Sequence, residues 1–193
     1  NVVLGVDFDD AALQTFKANH GNAEAMKLDL FDHNNINVIV DFLKEKNIEL
    51  DVLVGGPPCQ GFSIAGPRDM RNTLYLAMVK LAATLKPQAV VLENVPGMLQ
   101  TNGGIGAKRI IEDFAEIGYK MTPKLLYAPD YGIPQIRKRV FFVGLRDSEN
   151  AFEFPEPFVD SKDYVTCEDA ISDLPSLQTS DGEIVYGEEI QEY

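Results

Sequence analysis

The chain has 193 residues, of which 45% are hydrophobic and 24% charged, and its formal net charge is −13. That length and balance predict one water-soluble domain, or one domain with part of another. They exclude a helical membrane protein, since no apolar run approaches the ~20 residues that a span needs. Residues 2–7 are an apolar run ending in an acid, which predicts a strand rather than a leader. Residues 10–19 carry Ala11, Ala12, Leu13, Phe16 and Ala18 behind an acidic start, which suits a helix. Residues 25–29 read as a second short strand ending in an acid, and residues 36–46 as a helix. Residues 50–54 are a buried strand. Residues 73–86 form a helix with Leu74, Met78, Leu81, Ala82 and Leu85 on one face, stopped by Pro87. Residues 89–92 are a buried strand running into Glu93-Asn94-Val95. Residues 105–117 are a helix ended by Gly118, and residues 119–127 and 140–145 are strands. Residues 152–158 hold two prolines and predict an irregular connection, residues 170–174 one helical turn, and the rest is acidic and poorly patterned.

Strands alternating with helices predict an α/β fold: a mostly parallel sheet with helices on both faces. Ligands bind such sheets beyond the carboxyl ends of the strands. The unusual residues gather there: Asp7, Asp29, the stretch from Gly55 to Cys59, and Glu93. The charge is also uneven. After Arg146 there are fourteen acidic residues and one lysine, whereas residues 1–146 balance. Between Gln60 and Lys86 there are four bases and one acid, and between Ile133 and Arg146 four bases and no acid. The acidity therefore belongs to the tail, and positive surface near the cysteine loop is compatible with phosphate binding. Cys59 and Cys167 are the only cysteines. Two so far apart make a weak disulfide framework and point to a reducing setting.

Each feature alone has an ordinary structural reading. A free cysteine after a strand is usually a small buried residue. An acid ending a strand often caps the next helix, or, in a nicotinamide-binding protein, holds a ribose hydroxyl. Glu93-Asn94 reads as a turn, and Gln135-Ile136-Arg137-Lys138-Arg139 as a solvated basic patch.

In order and spacing, however, they go together. Gly55-Gly56-Pro57-Pro58-Cys59-Gln60-Gly61-Phe62-Ser63, then Glu93-Asn94-Val95, then Gln135-Ile136-Arg137-Lys138-Arg139 resemble the catalytic motifs of DNA (cytosine-5) methyltransferases. Arg71-Asn72-Thr73-Leu74, Asp130-Tyr131-Gly132-Ile133-Pro134 and Ala170-Ile171-Ser172-Asp173-Leu174-Pro175 extend the resemblance over nearly the whole chain. It implies a Rossmann-like methyltransferase fold and S-adenosylmethionine as methyl donor. It implies double-stranded DNA as partner, with a flipped target base, a paired restriction endonuclease, and a bacterial-type cytoplasmic, nucleoid-associated setting with no membrane.

The resemblance makes Cys59 the nucleophile. Its thiolate adds to carbon 6 of cytosine and so activates carbon 5. Two glycines permit close backbone approach and two prolines fix the direction of the loop, which holds the sulfur near attack geometry. Glu93 is assigned to ring nitrogen 3, Asn94 to ordering the loop, Arg139 to supporting the loop and the glutamate, and Arg137 to the carbonyl oxygen of the base. The cofactor positions are Asp7 for the ribose hydroxyls, Phe8 for stacking on adenine, Asp29 with Leu30 for the adenine amino group, and Pro57. Residues 60–71 resemble the loop that closes over the flipped base.

The family begins with a strand and a glycine-rich turn that this chain does not show, and that strand is expected between residues 2–7 and 50–54. The expected division is a catalytic domain over residues 1–147 and an acidic connection over 148–193 leading to a target-recognition domain. The sequence is thus read as a catalytic fragment, inactive alone. A tRNA cytosine-5 methyltransferase and a non-catalytic scaffold with the same fold are the alternatives. The scaffold has no need of Cys59, Glu93 and Arg139 together.

Overall fold

The computed structural model describes residues 1–58, 74–174, 178–180 and 183–185. Cys59, the loop 60–71 and Pro175 lie outside the described residues. Strand β1 (Leu4–Asp7) pairs in parallel with β2 (Glu24–Lys27). A second sheet contains β3 (Val52–Gly55), β4 (Ala89–Asn94), β5 (Tyr119–Tyr127) and β6 (Lys138–Arg146) in the order β3-β4-β6-β5. The β3–β4 pair is parallel and the β4–β6 pair antiparallel.

Local chemistry accounts for these elements. Helix α1 (Asp10–Asn19) starts where Asp9 accepts a hydrogen bond from the Ala12 amide at 2.8 Å. Helix α2 (Asn35–Glu45) buries Ile36, Ile39, Val40 and Leu43, a stripe of helical period. Helix α3 (Leu74–Leu85) is buried on two sides. Ala77 and Leu81 pack with α2, while Tyr75, Met78 and Ala82 join Val90 and Leu92 of β4. Two short turns that the sequence pattern did not reveal, helix α4 (Gly97–Gln100) and a 3-10 turn (Thr101–Gly104), lead into α5 (Ile105–Glu116). α5 sets Ala107, Ile110 and Phe114 into the same core. It ends at Gly118, whose φ of 90° suits glycine. Phe114 meets Tyr119 edge-on with ring centres 6.1 Å apart, and the buried Tyr119 hydroxyl donates to the Pro87 carbonyl at 2.6 Å.

The period-two alternation of a strand sorts the helices onto the two faces. Leu4 and Val6 of β1 pack toward α2, whereas a methyl group on Gly5 would lie 2.6 Å from the Phe16 ring of α1. On β3, Leu53 packs in both core clusters and Gly55 lies against Met78 of α3, while Val52 and Val54 face the other way and are exposed.

Among the described residues β1 pairs with β2 and β3 with β4, but β1 and β3 do not pair with each other. A groove of about 950 Å3 lies between them, with Leu4–Asp7 on one side and Val52–Gly55 on the other.

The chain divides into two compact units, Asn1–Leu125 with Arg139–Phe154, and Leu126–Lys138 with Pro155–Tyr193. In the second unit a 3-10 turn (Ala128–Tyr131) is followed by Gly132 at φ 76°. The helical turn expected at 170–174 starts earlier, as α6 (Cys167–Ile171), because Thr166 and Asp169 form a reciprocal capping box. The acidic end contains a strand pair, β7 (Gln178–Ser180) with β8 (Glu183–Val185). Among the described residues no helix is long and apolar enough to cross a membrane.

Candidate active site

Strands β3 and β4 run in parallel and end side by side, with Gly55 opposite Leu92. The segment after β3 therefore lies beside Glu93 and Asn94. A methyl group on Gly56 would sit 3.6 Å from Glu93 Oε2, so the two-glycine turn brings backbone close to that carboxylate. Pro57, the next residue, is buried. Asn94, only 6% exposed, uses both ends of its amide: Nδ2 donates to the Pro57 carbonyl at 2.9 Å, and Oδ1 accepts from the Val95 amide at 2.9 Å. One side chain thus ties the end of β4 to the proline turn, immediately before Cys59.

Asn94→Ala leaves the Pro57 carbonyl and the Val95 N–H without that partner. The Pro57 carbonyl is buried, the Val95 N–H partly so, and a buried group left unpaired costs about 1–3 kcal/mol. Urea unfolding of the chain is expected to show a loss of about 2 kcal/mol or more. An unchanged midpoint would mean that the proline turn does not depend on Asn94.

The antiparallel partner of β4 supplies the cation. Glu93 and Asn94 face Phe141 and Val140 across the β4–β6 pair, which puts Arg139 just past the end of β4. Arg139 Nε lies 2.8 Å from Glu93 Oε1, with the side chains 26% and 36% exposed. A charge-assisted bond at that depth fixes the carboxylate better than one in open solvent. Arg137 is an exposed residue of the second unit, and its backbone carbonyl accepts from the Ala128 amide at 2.9 Å.

The five candidate cofactor residues Asp7, Phe8, Asp29, Leu30 and Pro57 all line the groove between β1 and β3. Asp7 does not cap α1. It accepts from the Asp9 amide at 2.9 Å, and Asp9 performs the capping. Asp29 similarly accepts from the Phe31 amide at 2.9 Å. These local bonds orient both carboxylates at the strand ends. The Phe8 ring is 68% exposed. Two oriented carboxylates and an uncovered aromatic face in one groove suit an adenosine-like ligand, with hydroxyl or amino donors for the acids and a flat ring to cover the phenyl face. Phe31 also lines the groove. It was not singled out from the sequence, and its only signal was an aromatic residue two places after Asp29.

A family model described as C-5 cytosine-specific DNA methylase matches residues 1–192. The type II methyltransferase M.DdeI of Desulfomicrobium norvegicum is 35% identical over all of this chain and 46% of its own length. M.BspRI of Lysinibacillus sphaericus is 39% identical over 90% of this chain and 41% of its own. The chain spans about half the length of these curated relatives or somewhat less. M.AquIA of Picosynechococcus is 32% identical over 91% of this chain, which covers 80% of that relative. Among solved structures, a protein described as a DNA modification methyltransferase encoded within an E. coli prophage superposes with a TM-score of 0.72. It is 29% identical over 92% of this chain and 49% of its own.

Proposed function

The chain belongs to the C-5 cytosine-specific DNA methylase family, and from that premise we propose that it is the catalytic part of an enzyme that methylates carbon 5 of cytosine in double-stranded DNA. The observation that carries this reading is the junction of β3 and β4, where Asn94 fastens the turn leading to Cys59 and Arg139 holds Glu93 beside it.

Cytosine carbon 5 is a poor nucleophile. The Cys59 thiolate gives its electron pair to a new bond with carbon 6, and the electrons of the ring double bond move toward carbon 5 and nitrogen 3. Glu93, kept in place by Arg139, stabilises nitrogen 3 by a hydrogen bond or a proton. Arg137 meets the carbonyl oxygen of the base. S-adenosylmethionine, when bound, supplies the methyl group that carbon 5 receives. Water then takes the carbon 5 proton, and the electron pair of that C–H bond re-forms the ring double bond and expels the Cys59 sulfur as thiolate. These contacts reach atoms that are stacked inside a duplex, so the base is flipped out. In the groove, Asp7 accepts from the ribose hydroxyls, Phe8 covers the adenine face, Asp29 with Leu30 takes the adenine amino group, and Pro57 bounds the site.

The type II methyltransferase relatives support a role in a restriction–modification pair with a cognate endonuclease. Protein made from the full open reading frame, given a labelled methyl donor, is expected to place label on cytosine in duplex DNA and not in tRNA. Label in tRNA alone would turn the reading to an RNA enzyme. No label in either nucleic acid would favour a scaffold.

A further inference from the structure

We propose that Asp130 and Tyr164 form a brace that positions the loop carrying Arg137. The proposal rests on the reading of Arg137 as a base-facing residue, and all of its contacts lie within the second unit.

The loop from Ile133 to Lys138 exposes Ile133, Gln135, Ile136, Arg137 and Lys138, with Ile136 90% exposed. With those side chains exposed, bonds to its backbone help to set its shape, and within it the Pro134 carbonyl accepts from Cys167 Sγ at 3.0 Å. At its base the Ala128 amide donates to the Arg137 carbonyl at 2.9 Å. Ala128 opens the 3-10 turn (Ala128–Tyr131) that contains Asp130, so whatever fixes this turn fixes one end of the arginine loop.

Asp130 fixes it with both of its acceptor groups. Its backbone carbonyl accepts from the amides of Phe158 and Val159 at 3.1 and 3.2 Å, and its carboxylate accepts from the Tyr164 hydroxyl. The Tyr164 ring lies edge-on to Tyr127, 6.0 Å between centres, directly before the turn. Lys138, at the far end of the loop, places Nζ 5.3 Å from the centre of the Tyr127 ring. The Arg137–Lys138 end of the loop is thus held beside the aromatic pair, and at the other end the Ile133 amide donates to the Ala128 carbonyl at 3.3 Å, so both ends meet the same turn. The bond to Asp130 is also the first cause that pushes the Tyr164 hydroxyl up to about 12. Only the phenol form can donate, and the hydroxyl stays in that form at neutral pH.

The test uses protein from the full open reading frame. Tyr164→Phe keeps the ring and removes the donor. Hydrogen exchange of the peptide over residues 126–138 should quicken about tenfold as the turn opens locally. Turnover on duplex DNA should fall by roughly tenfold, because small misplacements of a positioned group are costly, with KM for the methyl donor unchanged. Asp130→Asn keeps an acceptor oxygen and should stay within about threefold of native turnover, whereas Asp130→Ala should behave like Tyr164→Phe. Tyr164→Phe combined with Arg137→Ala should be no slower than Arg137→Ala alone, since the brace acts through that arginine. Losses that multiply, or exchange of residues 126–138 unchanged by Tyr164→Phe, would overturn the proposal. A native protein that methylates nothing while Tyr164→Phe still quickens exchange overturns the reading of the function and upholds the brace.

Discussion

Cys59→Ser is expected to abolish covalent trapping on duplex DNA that carries 5-fluorocytosine, while Cys167→Ser traps like the native protein. Fluorine in place of the carbon 5 hydrogen cannot leave as a proton, so the adduct persists and is seen as a protein–DNA band that survives denaturation. A serine hydroxyl at position 59 offers no comparable nucleophile at neutral pH, since alkoxide is far scarcer than thiolate. Cys167 is the control. It is exposed at the start of α6, and its sulfur lies 3.0 Å from the Pro134 carbonyl oxygen. That sulfur is engaged with a backbone carbonyl and lies outside the Gly55–Ser63 motif. A trapped band with Cys59→Ser would remove Cys59 from the chemistry, and its loss with Cys167→Ser would shift attention to the second unit.

Much of this arrangement was legible in the sequence because local rules decide it. Helix α1 runs over the expected residues 10–19, because the Asp9 cap and the apolar spacing agree. β4 begins at Ala89 as the continuous apolar run 89–92 leads one to expect, and it runs on through Glu93 to Asn94, where the pair alone reads equally as a turn. What was not legible depends on partners distant in sequence. Residues 2–7 read as one strand, yet pairing begins at Leu4, because the register Leu4 to Glu24 sets the start. The antiparallel course of β6 is invisible to periodicity, which gives the same alternation in either direction. It nevertheless decides that Arg139 meets Glu93. The double hold of Asn94 on Pro57 and Val95 joins residues 37 apart and one apart, and no spacing rule announces it. The turn at Gly97–Gln100 is too short to show a helical period. Backbone acceptors such as the Asp130 carbonyl carry no side-chain signature at all.

The second large effect concerns the pair at the end of β4. Glu93→Gln keeps the size of the side chain and an acceptor for Arg139 but gives up the carboxyl group, so methyl transfer in a single turnover should slow by roughly 10²–10⁴-fold, the range for a lost acid–base group. Arg139→Ala leaves Glu93 in place and removes the donor 2.8 Å away. The carboxylate then turns toward water, and the rate should again fall steeply. If Arg139 acts by holding Glu93, the two losses do not multiply: Glu93→Gln with Arg139→Ala should be little slower than Glu93→Gln alone. Arg139→Lys sharpens the point. Lysine keeps the charge but cannot reproduce the planar, directed N–H of the guanidinium. It should recover only part of the rate if direction matters, and nearly all of it if charge alone matters. Rates that multiply in the double variant would mean that Arg139 touches the base or the DNA itself, and that the pair with Glu93 is incidental to the chemistry.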